Sequence, residues 1–356
     1  MAFLYSGRST SRQSPVSIKR HLLERTCRVD RNFDLKAAIS SVRAASRACR
    51  DVQQRLVSAD SLEKKDKSPV TVADFASQAI VCARLEAEYP NDPLVGEEDS
   101  AALREDEQSK LLNAVVQTVG SEIRGNPDED QVLGWIDRGN ADASTLRYWT
   151  LDPIDGTKGF LRGEQYAVAL GLIEDGEVVL GVLGCPNFPA NDGIGALFAG
   201  VKGQQARAYA LWDESDDTGA EVHVSRIASA AEARFCESVE SAHSDQSTSA
   251  QIARALGITD APFRIDSQCK YAAVARNDAS IYLRLPIRAD YEEKIWDHAA
   301  GKIVVECAGG RVTDADGHPL DFSRGRTLAA NSGVVATSGR IHDEVIDAVR
   351  RVRGMA

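Results

Sequence analysis

The residues with the most chemical potential lie in Trp149-Thr-Leu-Asp-Pro-Ile-Asp-Gly-Thr-Lys158, where Asp152 and Asp155 stand three positions apart across a proline that restricts the turn. Gly156 and Thr157 follow, and backbone N–H groups at such a helix start suit an anion. The chemistry would be that of a metal ion and a phosphate held side by side. A solvated acidic turn is the competing reading of any D-x-x-D pair, and three further acidic positions weigh against it. Glu97 follows an apolar run in Val95-Gly-Glu-Glu-Asp99, with Glu98 read as a supporting neighbour. Asp297, in Ile295-Trp-Asp-His-Ala-Ala-Gly301, is expected to open a helix. Asp74 follows an extended Thr71-Val72 and precedes a helix. Carboxylates at element ends, without Cys and without an obligatory His, are hard oxygen donors that suit Mg²⁺ rather than Zn²⁺ or copper.

The elements that must position these groups follow from hydrophobic periodicity. Leu35, Ala38, Ile39, Val42, Ala45, Ala48, Val52 and Leu56 recur at steps of three and four, which predicts a long amphipathic helix from Asp34 onward. Residues 69–72 read as extended, 76–89 as a helix ended by Pro90, Leu94-Val95 as a short strand, and 101–148 as polar and mostly helical. Asp175-Gly176 between alternating apolar runs predicts a hairpin over 166–183. A second hairpin is expected over 196–198 and 205–209, a linker at 213–219, helices at 249–256, 296–308 and 340–352, and a strand at 281–285. The fold class is mixed α/β, with an antiparallel-rich sheet in an α+β domain at 34–215 and a smaller α/β domain at 216–356.

Composition bounds the function classes. The formal charge, 42 − 53 = −11, excludes a general nucleic-acid binder that neutralises backbone phosphates, and no apolar run is long enough to cross a bilayer. Residues 1–33 carry seven Lys/Arg against Glu24 and Asp30, so they are +5 and leave −16 for the rest. This Arg-rich, hydroxyl-rich leader predicts a transit peptide for a chloroplast or mitochondrion, the alternative being a disordered leader and a cytoplasmic location. Seven scattered cysteines without C-x-x-C spacing read as thiols, several of them packed as small hydrophobes, and Cys185 in its turn reads as a packed thiol ahead of a redox-sensitive one. Neither G-x-G-x-x-G nor G-x-x-x-x-G-K-[ST] occurs.

The motifs G-E-E, D-P-I-D-G-T and I-W-D-H-A-A-G, in that order, resemble those of the Mg²⁺-dependent, Li⁺-sensitive phosphatase superfamily of inositol monophosphatase and fructose-1,6-bisphosphatase. Within it the chain is similar to the 3'(2'),5'-bisphosphate nucleotidases from about residue 35 to its C-terminus. Ser68-Pro-Val-Thr-Val-Ala-Asp74, Asp266-Ser-Gln-Cys-Lys-Tyr271, Tyr282-Leu-Arg-Leu-Pro286 and Glu293-Lys-Ile-Trp-Asp297 carry that likeness. The resemblance implies a sugar-phosphatase-like fold in αβαβα layers. It implies that Glu97, Asp152, Asp155, Asp297 and the carbonyl of Ile154 bind two or three Mg²⁺ ions, while Thr157 with Asp74 orients and deprotonates the attacking water. It further implies that Gly156, Thr157 and Asp297 meet the substrate, that Ser267, Lys270 and Arg284 contact the nucleotide and its 5'-phosphate, and that His243 lies against base or ribose. Two of these have a plainer alternative, His243 as a surface histidine and Arg284 as a strand charge, and His298 beside Asp297 reads either as an orienting neighbour or as a helix-packing residue.

The activity so implied is hydrolysis of 3'-phosphoadenosine 5'-phosphate to AMP and phosphate, with 3'-phosphoadenylyl sulfate as a second substrate. The alternative enzyme is an inositol polyphosphate 1-phosphatase or dual-specificity relative. A non-catalytic nucleotide sensor is the alternative of another class, and it would lack one of the catalytic or ligand residues. The expected partner is a small nucleotide, with no nucleic acid and no membrane, and the expected state is a monomer.

Overall fold

Helix α1 (Arg31–Ala59) buries Ala38, Val42, Ala45, Cys49 and Val52 along one seam, as the periodicity predicts. The computed structural model describes residues 31–59, 68–190, 193–239, 246–286, 288 and 291–354. His243 and the leader before residue 31 lie outside them. Helix α2 (Ser68–Glu88) corrects one expectation, because 69–72 is helical and Asp74 lies inside the helix rather than at its start. Pro69 falls in the first turn, where its missing N–H breaks no intrahelical bond. Burial of Phe75, Ala76, Ala79, Ile80 and Leu85 outweighs the weak helix preference of the β-branched run.

The first sheet follows in chain order. Strand β1 (Leu94–Gly96) leads to helices α3 (Ser109–Glu122) and α4 (Glu129–Asp137), the latter capped reciprocally by Asp128 and Gln131. Then come β2 (Arg147–Asp155), the short α5 (Thr157–Leu161), β3 (Ala167–Glu174), β4 (Glu177–Ala190), β5 (Gly193–Val201), β6 (Arg207–Ala210) and β7 (Ala220–Glu221). These strands pair in sequence order, β1 with β2 in parallel and the rest antiparallel. Asp175 and Gly176 both take positive φ, 51° and 76°, as the predicted two-residue hairpin turn requires.

Two further expectations change. Asp152 to Asp155 is not a turn, since β2 runs through all four residues with its register to β3 slipping between the two aspartates. The slip is a bulge, which absorbs the ladder bond that Pro153 cannot donate and re-aims the neighbouring side chains. The stretch 213–219 is no free spacer: the Asp216 carboxylate accepts the N–H groups of Ala210 and Gly219, Arg43 donates to the carbonyls of Ala210 and Asp216, and β7 continues the same sheet beyond it.

The second sheet contains β8 (Phe235–Glu237), β9 (Phe263–Arg264), β10 (Ile281–Arg284), β11 (Arg311–Thr313) and β12 (Val334–Thr337), in the spatial order β11-β12-β10-β8-β9. Its helices are α6 (Gln246–Leu256), α7 (Cys269–Ala275), α8 (Ala299–Cys307) and α9 (His342–Val352). Helix α7 was not foreseen; all seven of its residues are buried, so no polar face marks its period. Leu35–Ala356 form one compact unit, layered as predicted. Helices α1 and α2 cover one face of the first sheet, α7 and α8 lie between the sheets, and α6 and α9 back the second. No helix among the described residues is long and apolar enough to cross a membrane. The described cysteines are free thiols; Cys185 is buried within β4, as expected of a packed residue.

One buried polar site makes stability pH-dependent. His342, at the start of α9, sits between the hydroxyls of Thr313 and Thr337 at 2.9 Å each, and burial pushes its pKa down to about 4. The fold therefore favours the neutral ring, while the unfolded chain takes a proton near pH 6.5. The contribution is fully present above pH 6.5 and is lost as pH falls through 4, amounting to about 3 kcal/mol. Urea unfolding at pH 7 and pH 4.5 should show a smaller stability difference in His342→Asn than in the parent chain.

Candidate active site

The bulge in β2 and the turn after it face an open cavity of about 870 Å³. Glu97, Asp152, Ile154, Asp155, Gly156, Thr157, Ser267, Lys270, Arg284 and Asp297 all line it. Residues separated by up to 200 positions (297 − 97) thus converge on one site. Asp74 lies beside this group, where Glu97 and Glu98 act on its charge, although it is not among the lining residues.

Each carboxylate is held by its element. Gly96 ends β1, and Gln78 of α2 ties the next residues down: its amide nitrogen donates to the carbonyls of Glu98 at 2.6 Å and Ile136 at 2.8 Å, and its oxygen accepts the Glu98 N–H at 3.1 Å. A Cβ on Gly96 would stand 2.4 Å from that amide oxygen, so any larger residue there would push the Gln78 amide out of these bonds. Ser77, the neighbouring α2 residue, donates at 2.9 Å to the carbonyl of Pro153 inside the bulge. Arg326 donates to the carbonyls of Gly96 at 2.5 Å and Ala141 at 3.1 Å and lies 4.9 Å from the Trp296 ring centroid, bracing the Glu97 segment against the Asp297 segment. Asp297 sits in a 3₁₀ turn (Ile295–Asp297) just ahead of α8 rather than within the helix.

The block at 266–271 closes the site from the other side. Ser267 adopts φ 65°, a conformation that costs a non-glycine residue about 1–3 kcal/mol and that occurs where surrounding contacts enforce it. Here the contact is the Gln268 N–H, which donates to Asp155 Oδ2. The Gln268 side chain donates to the Trp296 carbonyl at 2.9 Å and accepts the Gly301 N–H at 3.2 Å, so one residue couples Asp155 to the Asp297 turn. Gly156 has φ 93°, and a Cβ there would lie 2.8 Å from that of Ser267. Gly156→Ala should therefore cost about 1–2 kcal/mol of stability in chemical denaturation and lower turnover with it.

The electrostatics call for a cation. Burial first, then the repulsion of neighbouring carboxylates, pushes Asp152 well above the usual carboxylate range, Glu97 up to about 7 and Asp155 up to about 6. Lys270 and Arg284 pull Asp155 down without cancelling the rise. Asp152 is 2% exposed, and its buried Oδ1 has no hydrogen-bond partner. An acceptor-only group left this way normally costs a few kcal/mol, and a hard divalent cation is the partner it fits. Lys270 is itself buried, which lowers its pKa, while the Asp155 carboxylate opposes that shift. Arg284 is more than a strand charge, since it pairs with both Glu293 and Asp297 at 2.8 Å.

A family model described as the inositol monophosphatase family matches residues 30–353. The chain belongs to that family. It is 45% identical over 321 residues to a 3'(2'),5'-bisphosphate nucleotidase of Emericella nidulans, covering 82% of this chain and 90% of the relative. It is 44% identical over 333 residues to one of Schizosaccharomyces pombe, covering 88% and 94%. Among solved structures, an inositol monophosphatase of Anabaena superposes with TM-score 0.57 at 22% identity, covering 90% of this chain and 96% of that one. One from Thermotoga maritima gives 0.59 at 20% identity, covering 90% and 98%. These bear out the layered fold.

Set against this family fold, the residues missed from the sequence are Ser77, Gln78, Gln268, Glu293 and Arg326. Gln268 and Glu293 lay inside blocks already singled out, and Gln78 lies four residues after Asp74 on the same helix face. Arg326 carries no such signal.

Proposed function

We propose that the chain is a metal-dependent phosphomonoesterase that converts 3'-phosphoadenosine 5'-phosphate and water to AMP and inorganic phosphate. The observation that carries this reading is a carboxylate cluster with an orphaned, buried Asp152 oxygen sharing one cavity with Lys270 and Arg284. The nucleotidase relatives supply the substrate class. Glu97, Asp152, Asp155, Asp297 and the carbonyl of Ile154 would hold two or three Mg²⁺ ions, by the resemblance described above. Such ions supply charge neutralisation on the phosphoryl oxygens and a more acidic bound water.

The chain's own groups do the rest. Thr157 opens α5 and Asp74 lies on α2, which packs against α5, so the two would orient the attacking water and take up its proton. As the new P–O bond forms, the ester P–O bond breaks and the leaving ribose oxygen gains a proton. Ser267, Lys270 and Arg284 would receive the distal 5'-phosphate, with Gly156 and Asp297 beside the reacting one, and His243 would meet base or ribose. A second substrate, 3'-phosphoadenylyl sulfate, has the same 3'-phosphate. We also propose that residues 1–33 direct the chain to an organelle; a reporter fused to them that stays diffuse in the cytosol would reject this.

Phosphate release from 3'-phosphoadenosine 5'-phosphate, inositol 1,4-bisphosphate and inositol 1-phosphate, with Mg²⁺ and with or without Li⁺, tests the activity. Turnover of the nucleotide above both inositol esters is expected. Turnover of the inositol esters alone would favour the inositol polyphosphate reading, and no turnover with tight nucleotide binding would favour a sensor.

A further inference from the structure

Behind the cavity, Tyr271, His298 and Glu293 form a row of polar contacts that ends in an ion pair with Arg284. The Tyr271 hydroxyl lies 2.7 Å from His298 Nδ1, His298 Nε2 lies 3.1 Å from Glu293 Oε2, and that oxygen lies 2.8 Å from Arg284 Nε. Arg284 Nη2 then donates to Asp297 Oδ2 at 2.8 Å. Tyr271, His298 and Glu293 are all at most 3% exposed. Glu293, although burial works against its charge, is held below the usual carboxylate range by His298 and Arg284, so it only accepts. His298 Nε2–H donates to it, and Nδ1 on the other side of the ring pairs with the Tyr271 hydroxyl.

Glu293, Asp297 and His298 also lie close enough together to resemble a metal-binding group, but the Arg284 guanidinium already bridges the two carboxylates. Packing alone does not require this row, since buried charge networks are commonly replaceable by apolar residues without loss of stability. What a polar row adds is orientation. An arginine side chain is flexible and its fork directional, so anchoring Nε sets the plane in which the remaining donors lie.

We propose that Tyr271, His298 and Glu293 are positioning residues that fix the Arg284 guanidinium in the orientation in which it meets the substrate's non-reacting phosphate. This rests on the reading of Arg284 as part of the distal-phosphate seat.

Tyr271→Phe tests it, because the ring is kept and only the hydroxyl is deleted. The value of kcat/KM for 3'-phosphoadenosine 5'-phosphate should fall about 3- to 10-fold, chiefly through KM, while that for 3'-AMP, which has no distal phosphate, stays unchanged. Glu293→Gln should produce the same selective loss. In an Arg284→Met background, adding Tyr271→Phe should cause no further loss of selectivity. Equal falls on both substrates, or additive losses in the double variant, would overturn the proposal by showing a merely structural role. A parent enzyme that prefers 3'-phosphoadenosine 5'-phosphate over 3'-AMP while Tyr271→Phe keeps the full preference overturns the row alone. A parent enzyme without that preference overturns the distal-phosphate reading, and the row with it, before any variant is made.

Discussion

Asp152→Asn should all but abolish turnover and at the same time make the metal-free chain more stable. Asp152 is buried among Glu97, Asp155 and Asp297 and contributes an oxygen without a protein partner. Losing several kcal/mol of phosphoryl charge stabilisation corresponds to a fall of about a thousandfold or more in kcat. The stability effect has the opposite sign. Glu97 and Asp155 titrate near 7 and 6, above their unfolded values, so without divalent cations their contribution to stability is fully present below about pH 4 and is lost as pH rises through 6 to 7. Burial and these neighbours hold Asp152 itself well above the usual carboxylate range, so metal-free folding at neutral pH must protonate it, each pH unit between its unfolded and folded values costs about 1.4 kcal/mol, and asparagine removes that cost. Saturating Mg²⁺ should reverse the order, because it stabilises only a fold that binds it. Thermal unfolding of both proteins in EDTA and in Mg²⁺ at pH 7.5 gives the four values needed. A variant less stable than the parent in EDTA would contradict the cluster's electrostatics.

The second large effect is on selectivity. Lys270→Met should lower kcat/KM for 3'-phosphoadenosine 5'-phosphate about 10- to 100-fold relative to inositol 1-phosphate, since hydrogen bonds to charged groups are worth about 1.5–3 kcal/mol. Burial disfavours the Lys270 ammonium, so its retention needs an anion, and Asp155 serves in the free enzyme. Removing Lys270 also releases a charge that lowers the Asp155 pKa. A moderate loss common to all substrates, greater at lower pH, is therefore expected beneath the selective one. The ratio of the two substrates, measured across pH 6–8, separates these contributions.

Most of the cavity was legible because its residues come in short contiguous motifs, each with a chemical meaning of its own. Asp152 to Thr157, Gly96-Glu97 and Trp296-Asp297 all sit at strand ends or helix approaches, where apolar neighbours reveal the element and the polar residue stands out. The conformation between them was less legible. A proline between two aspartates suggested a turn, yet pairing along β2 carries the strand through and leaves a bulge. At the start of α2 the β-branched residues favour a strand locally, whereas burial against the sheet decides for helix. Supporting residues such as Gln78 and Arg326 act on backbone carbonyls far away in sequence, including Ile136 and Gly96. Nothing in their immediate neighbours announces that role. Arg284 was foreseen as a substrate contact, but its pairing with Glu293 and Asp297 depends on a strand and a 3₁₀ turn meeting in space.

The burial of α8 between the two sheets has a consequence for how the protein comes together. Asp297 just precedes that helix, and Asp74 lies 223 positions earlier (297 − 74), on the outer face of the first sheet. No hairpin or local unit holds more than part of the carboxylate set, and the chain-closure entropy must be met before the ligands assemble. An emerging polypeptide would thus lack the Asp297 carboxylate until its last third has docked. Full-strength metal uptake would report completion of the whole fold, and it would protect against global unfolding rather than against fraying of any one segment.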